Sequence, residues 1–215
     1  MDRKVIALGE SVLDIIFKNG EPQAARPGGS SFNSIISVGR AGIPAVFISE
    51  TGQDRVGAMI VGFLKENGVD TAYVIQYPGS KSALSLAFLN EKNDAEYEFY
   101  KDYPRQRLGN AFPELSANDI LLFGSFYALN PVLRPKVRIF LEQARKSRTM
   151  VIYDPNFRSS HMDDLHQLRL VIEENFGYAS VVRCSDEDLR NIYGATNIDE
   201  AWEKVAPFCN VLLYT

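Results

Sequence analysis

Lys4-Val5-Ile6-Ala7-Leu8-Gly9-Glu10-Ser11-Val12-Leu13-Asp14-Ile15-Ile16-Phe17, followed at 27 by Pro27-Gly28-Gly29-Ser30-Ser31-Phe32-Asn33, is the part of this chain whose reading decides its fold. The run from Lys4 to Gly9 is short and continuously apolar, the pattern of a strand covered on both faces. Ser11 to Phe17, with Glu21 to Arg26 beyond the turn residues Asn19-Gly20, reads instead as a hairpin standing outside the main sheet. The two glycines then introduce a helix from Ser31 to Ala41, with Ile35, Ile36 and Val38 among small residues and Gly42 as its stop.

Outward from this stretch the same rhythm repeats. Apolar, β-branched runs at Ala45 to Ser49, Ala72 to Tyr77, Asp119 to Gly124, Thr149 to Asp154, Ser180 to Arg183 and Val211 to Tyr214 predict buried strands. Helices are predicted between them: one capped by Asp54 and ending near Gly68, then Val132 to Lys146, Asp164 to Asn175, Asp186 to Tyr193 and Ile198 to Val205. Strand and helix alternating in this way imply a layered α/β sandwich with a mostly parallel sheet. A second hairpin, Ser82 to Leu89 with Glu96 to Lys101 around Asn93-Asp94, breaks the rhythm as the first does. Two such hairpins could form a lid at the strand ends, where open α/β sheets bind ligands, or could be surface decoration.

Composition narrows the function classes. The 215 residues are 46% hydrophobic and 23% charged, as expected of one globular domain. A net charge of -4 with no basic run argues against nucleic acid or an anionic membrane as partner. No apolar stretch reaches the roughly 18 residues of a membrane span, and the N-terminus lacks a signal-peptide pattern, so a cytoplasmic protein is predicted. Cys184 and Cys209 form no Cys-x-x-Cys unit and read as small buried hydrophobes. His161 and His166 have neither metal-protease nor one-face helical spacing and read as solvated residues.

Three groups of residues carry chemistry. If Val12 to Phe17 is extended, the Asp14 carboxylate shares a face with Val12 and Ile16. A carboxylate on a half-buried face needs donors, and paired sugar hydroxyls would suit it; by itself, a wet face is the simpler account. Gly28 and Gly29 permit close backbone approach to a ligand just before a helix with unpaired N–H groups, and the Asn33 amide offers both donor and acceptor. An ordinary loop-to-helix junction has the same look, and the absence of Gly-Lys-Ser/Thr excludes a P-loop. Finally, Asp154-Pro155-Asn156-Phe157-Arg158 and Arg183-Cys184-Ser185-Asp186-Glu187-Asp188 each close a strand with charged and polar groups.

In order, Gly9-Glu10, Asp14, Gly28-Gly29 with Asn33, Gly39, Gly42, Gly52-x-Asp54-x-x-Gly57, Gly124-Ser125, the Asp154 segment and the Arg183 segment resemble the landmarks of the ribokinase-like (PfkB) carbohydrate kinases. The resemblance covers essentially the whole chain. It implies a three-layer α/β/α sandwich with a small β-sheet lid, a single domain over 1–215 with lid hairpins inserted at approximately 11–27 and 82–102. It implies transfer of a phosphoryl group from ATP, with Mg²⁺, to a primary hydroxyl of a sugar, and sugar contacts from Asp14, Gly28, Gly29 and Asn33.

The Asp154-x-Asn156-x-Arg158 form is similar to that of fructokinase-like members. Arg158 could then face substrate or phosphate as a planar donor, or could pair with Asp154 at the strand end. Lys101 falls where such relatives often place an arginine near the sugar. Ser185 and Asp188 occupy the place of the family's Asn-x-x-Glu, which organises magnesium and phosphate through water rather than as direct metal ligands. Here the acid is a residue type shorter, and the acidic cluster would also open a helix well. Gly52, Asp54 and Gly57 read as a turn and a cap. The family's Gly-Ala-Gly-Asp segment, with its catalytic aspartate, does not occur in residues 1–215, so a base beyond Thr215, an incomplete domain and a chain inactive by itself are expected. Fructose is the leading substrate, with ribose and 2-keto-3-deoxygluconate as alternatives. A sugar-binding regulatory protein descended from a kinase is the reading from another class. An exposed lid sheet could pair across a homodimer.

Overall fold

The computed structural model of the chain describes residues 3–109, 112–157 and 164–215. Val5–Leu8 (β1) is an inner strand of the main sheet, and its four residues are all buried, as its unbroken apolar run requires. Around it lie Ala45–Gly52 (β4), Val69–Tyr77 (β5), Ile120–Gly124 (β8), Met150–Asp154 (β9), Val181–Cys184 (β10) and Leu212–Tyr214 (β11). These make a seven-stranded sheet in the order β11-β10-β9-β8-β1-β4-β5. Every pairing in it is parallel.

Parallel strands need crossovers, and the helices supply them. They are Ser30–Arg40 (α1), Arg55–Glu66 (α2), Ser125–Leu129 (α3), Arg134–Ser147 (α4), Leu165–Tyr178 (α5), Asp186–Tyr193 (α6) and Ile198–Val205 (α7). Alternation along the strands divides the core in two. Val5, Ala7, Ala45 and Phe47 pack with Phe32, Ile35, Ile60 and Leu64 of α1 and α2. Ile6, Leu8, Leu121, Phe123, Val151 and Tyr153 pack on the other side with Val137, Phe140 and Leu141 of α4 and Ile172 and Phe176 of α5. Helices cover both faces of the sheet, so the architecture is the three-layer α/β/α sandwich.

Both hairpins form, with turns where the sequence placed them: Asn19 and Gly20 have φ of 53° and 79°, and Asn93 has φ of 64°. Val12–Lys18 (β2) pairs antiparallel with Glu21–Gly28 (β3), and Lys81–Leu89 (β6) with Ala95–Asp102 (β7). They do not stand separately. β2 pairs with β6 in parallel, giving one four-stranded sheet in the order β3-β2-β6-β7.

Several boundaries differ from those read in the sequence. β4 runs on to Gly52, past Ser49, and the whole strand is buried. The helix α3 follows Gly124 directly, with Ser125 at φ 54°. Its five residues are too few to show a helical period. Among the described residues, no helix is long and apolar enough to cross a membrane.

Candidate functional site

The second sheet brings Asp14 to the start of α1. Gly28 lies so close to it that a Cβ there would stand 2.3 Å from Asp14 Oδ2. Only a glycine leaves room for the carboxylate in this position. Gly29 follows at φ 129°, a backbone state that disfavours any side chain, and a Cβ on it would meet the Glu10 carbonyl at 2.4 Å. The Gly29 carbonyl then accepts the first helical bond from Asn33 N–H at 2.9 Å. No side chain caps α1, which leaves its N-terminus open for hydrogen bonding by a guest. Phe32 turns inward against Phe47 and Phe63, which fixes the helix, while Asn33 beside it is exposed. Asp14, Gly28, Gly29 and Asn33 thus form one continuous run of contacts.

The environment of Asp14 is unusual for a carboxylate. Ser85 is its register partner on β6 and Arg26 its partner on β3; no ion pair holds its carboxylate among the described residues, and the Ser85 hydroxyl is the donor that bears on it. Burial pushes its pKa above the usual 3.8, and the nearby Ser85 hydroxyl offsets this only in part. Ser85 Oγ is buried and makes no closer hydrogen bond elsewhere. A half-buried carboxylate served by one side-chain hydroxyl keeps lone pairs free for the hydroxyls of a guest.

Lys101 and the Asp14 face are connected by register. Ser85 opposes Phe99 on β7, so Asp14, Ser85 and Phe99 form one transverse row, and Lys101 lies two residues on along the same face. Lys101 is exposed and rests its Nζ 5.0 Å from the centre of the Phe99 ring. Arg158 lies outside the described residues, as does His161. Asp154 is paired with Arg183, whose Nη1 stands 3.1 Å from its Oδ2. Burial raises the pKa of Asp154, and Arg183 opposes that shift.

Ser185 and Asp188 form a capping box at the start of α6. Asp188 is 3% exposed. Its Oδ2 accepts from Ser185 N–H at 2.8 Å and Ser185 Oγ at 2.6 Å, and its Oδ1 accepts from Phe157 N–H at 2.6 Å. The carboxylate therefore ties the loop after β9 to the start of α6. Among the described residues no cluster of histidine, cysteine or carboxylate side chains is arranged to hold a metal ion.

Glu50, near the end of β4, is the functional group the sequence reading missed. It is 1% exposed and accepts hydrogen bonds from Tyr77 Oη (2.6 Å), Arg107 Nε (3.0 Å), Arg107 Nη2 (2.7 Å), Leu108 N–H (2.6 Å) and Tyr127 Oη (3.0 Å). The Arg107 guanidinium also lies 3.7 Å from the centre of the Tyr103 ring. Burial pushes Tyr103 up to about 12. The available signal was an acid inside a fully buried strand, which demands a partner.

Comparison with known proteins agrees with this geometry. The family model described as pfkB family carbohydrate kinase matches residues 2–211. Fructokinase-1 of Oryza sativa subsp. japonica is 24% identical over 208 residues, which cover 91% of this chain and 64% of the relative. A fructokinase of Escherichia coli is 27% identical over 205 residues, covering 93% of this chain and 66% of the relative. The chain thus spans about two-thirds of the length of these relatives. Two solved structures share the fold at a TM-score of 0.84: apo fructokinase from Vibrio cholerae O395 and aminoimidazole riboside kinase from Salmonella enterica. The first is 22% identical and covers 97% of this chain and 74% of its own; the second is 21% identical and covers 99% and 70%. With its parallel core, its second sheet over the start of α1 and a family match along nearly its whole length, the chain belongs to the pfkB family of carbohydrate kinases.

Proposed function

We propose that this chain supplies the sugar-binding half of a kinase that transfers the γ-phosphoryl group of ATP to a primary hydroxyl of a sugar, with fructose as the leading acceptor. The observation that carries this reading is the half-buried Asp14 carboxylate, served by the Ser85 hydroxyl and held over Gly28 beside the open N-terminus of α1. A carboxylate accepts from two neighbouring hydroxyls at once, and the free carboxamide of Asn33 can donate to one hydroxyl oxygen and accept from the next. Lys101 is the cation we assign to the rim of this site, and the second sheet is its lid. Closure of that sheet would exclude water from the acceptor hydroxyl. In the transfer, the acceptor oxygen forms a bond to the γ-phosphorus as the bond to the β-phosphate bridge breaks, and the hydroxyl proton passes to a base.

Fructose is favoured by the fructokinases among the curated relatives and by a neighbour solved in a form with fructose, ADP and calcium ion bound. Magnesium would offset charge on the phosphates. The described residues bring together no ligand set for it, and the Asp188 oxygens are already occupied by protein donors. No step is therefore routed through the ion here. The lid face opposite Asp14 carries Leu13, Ile15, Phe17, Leu84, Leu86 and Phe88, with Phe17 and Phe88 stacked at 5.1 Å. We assign this face to pairing across a homodimer.

The test is ADP release from ATP by the full-length protein with D-fructose, D-ribose and 2-keto-3-deoxygluconate, alongside calorimetric binding of each sugar. Release with fructose at the lowest concentration supports the reading. Preference for another sugar replaces fructose only, binding without release points to a non-catalytic sugar-binding protein, and neither binding nor release rejects the sugar site.

A further inference from the structure

We infer that Glu50 is the positioning residue of this site: its buried carboxylate latches the lid sheet to the end of β4 and so sets the height of Asp14 above the start of α1. The inference rests on the sugar-site reading for its consequence, but its geometry is independent of it.

The chain passes between the two sheets at four places, and three of the passages are fastened at or beside residues 49–54. On the way out from β1, Ser11 Oγ donates to the Glu50 carbonyl at 3.2 Å, and Ser49 Oγ donates to the Gly9 carbonyl at 2.8 Å. On the way back through β3, Gly29 packs on the carbonyl of Glu10, next to Ser11. On the second way out, Tyr77 Oη donates to Glu50 Oε1 at 2.6 Å at the end of β5. Five residues after β5 ends, Ser82 donates to Asp54 from its N–H at 2.8 Å and from its Oγ at 2.7 Å. On the second return, after β7, Arg107 grips Glu50 with two nitrogens and Leu108 adds its N–H at 2.6 Å. Leu108 is held at φ 46°, a state it would leave if the latch opened.

Glu50 is the one side chain in this group that reaches both lid passages after β5 and β7 and also the core helix α3, through Tyr127 Oη at 3.0 Å. Apolar burial cannot do this work, because the strap at 103–108 contributes only Leu108 to the buried core. A carboxylate receiving donors from separate segments fixes their mutual position, and removing its charge strands the Arg107 guanidinium.

The test compares Glu50→Gln, Tyr127→Phe and Asp14→Asn with the unaltered protein, reading amide exchange across 103–109 and along β2 and β6, D-fructose affinity and global unfolding. Glu50→Gln is expected to speed exchange at Leu108 and the lid strands and to weaken fructose binding about tenfold, the effect of losing one buried charged bond. Tyr127→Phe removes a single donor with little change of shape, is expected to act in the same direction to a lesser degree, and serves if Glu50→Gln does not fold. Asp14→Asn should weaken fructose binding without altering exchange at 103–109. Unchanged exchange in folded Glu50→Gln and in Tyr127→Phe would overturn the latch, and faster exchange with unchanged affinity would overturn its positioning role. If the unaltered protein bound no sugar, the sugar reading would fall, and exchange along β2 and β6 would decide the latch by itself.

Discussion

The seven-stranded sheet, five of whose strands have five residues or fewer, and the four-stranded sheet, whose strands have seven to nine, are held in place by different forces. β1 and β4 are buried along their whole length, and helices clamp both faces. β7 is exposed at seven of its eight residues, and its aromatic side chains Tyr97, Phe99 and Tyr100 are each more than half exposed. The first sheet is positioned by apolar burial, which is strong and non-directional. The second buries Val12, Leu13, Ala83 and Ala87 and adds directional bonds from Ser11, Arg107 and Leu108 to Glu50 and from Ser82 to Asp54, just beyond β4. The difference suits each task, since a core must persist and a lid must be able to move without unfolding it.

The sharpest way to break this comparison is to cut one aromatic of α1 that packs on the first sheet and one aromatic of the second sheet. Phe32→Ala, which empties a fully buried position against Phe47 and Phe63, is expected to lower unfolding free energy by about 3–5 kcal/mol in urea denaturation. A smaller effect, on binding rather than stability, is expected at Asp14. Asp14→Asn should weaken sugar binding by roughly 1.5–3 kcal/mol, the range for hydrogen bonds to a charged group, as read by calorimetry. Its stability should hold or rise at neutral pH. The folded-state pKa of Asp14 lies above its unfolded value, so the folded protein favours the protonated form, and this contribution to stability is lost as pH rises through the folded value. The same shift means that sugar affinity should fall on acidification at a pH above the ordinary 3.8 of an aspartate, and that the fall should vanish in Asp14→Asn. The smallest effect belongs to Phe99→Ala on the exposed strand of the lid, expected to change unfolding free energy by less than about 0.5 kcal/mol. A loss at Phe99 matching that at Phe32 would show that the lid is also held by burial.

The elements that local pattern controls were legible. Asp54 caps α2 through Gly57 N–H at 2.8 Å, as its place before an apolar periodic run predicted. Asn19-Gly20 and Asn93-Asp94 turn their hairpins because their residues tolerate positive φ. Reading the chain as two hairpins nevertheless missed the parallel β2–β6 pairing that joins them, since strands 70 residues apart leave no local mark of their partnership. The Arg183 partner of Asp154 was also beyond reach, because it is brought alongside by the parallel pairing of β9 with β10.

Residues 1–215 by themselves determined the alternation of strand and helix, the glycines at 28 and 29 and the identity of the groups that could meet a sugar, because periodicity, turn chemistry and close-approach glycines are properties of neighbouring residues. Only the tertiary structure decided that Asp14 meets the Ser85 hydroxyl and no ion pair among the described residues while Glu50 receives five donors. Both acids sit in strands. Which of them is satisfied depends on segments as distant as Arg107 and Tyr127, and long-range convergence of that kind is set by packing alone.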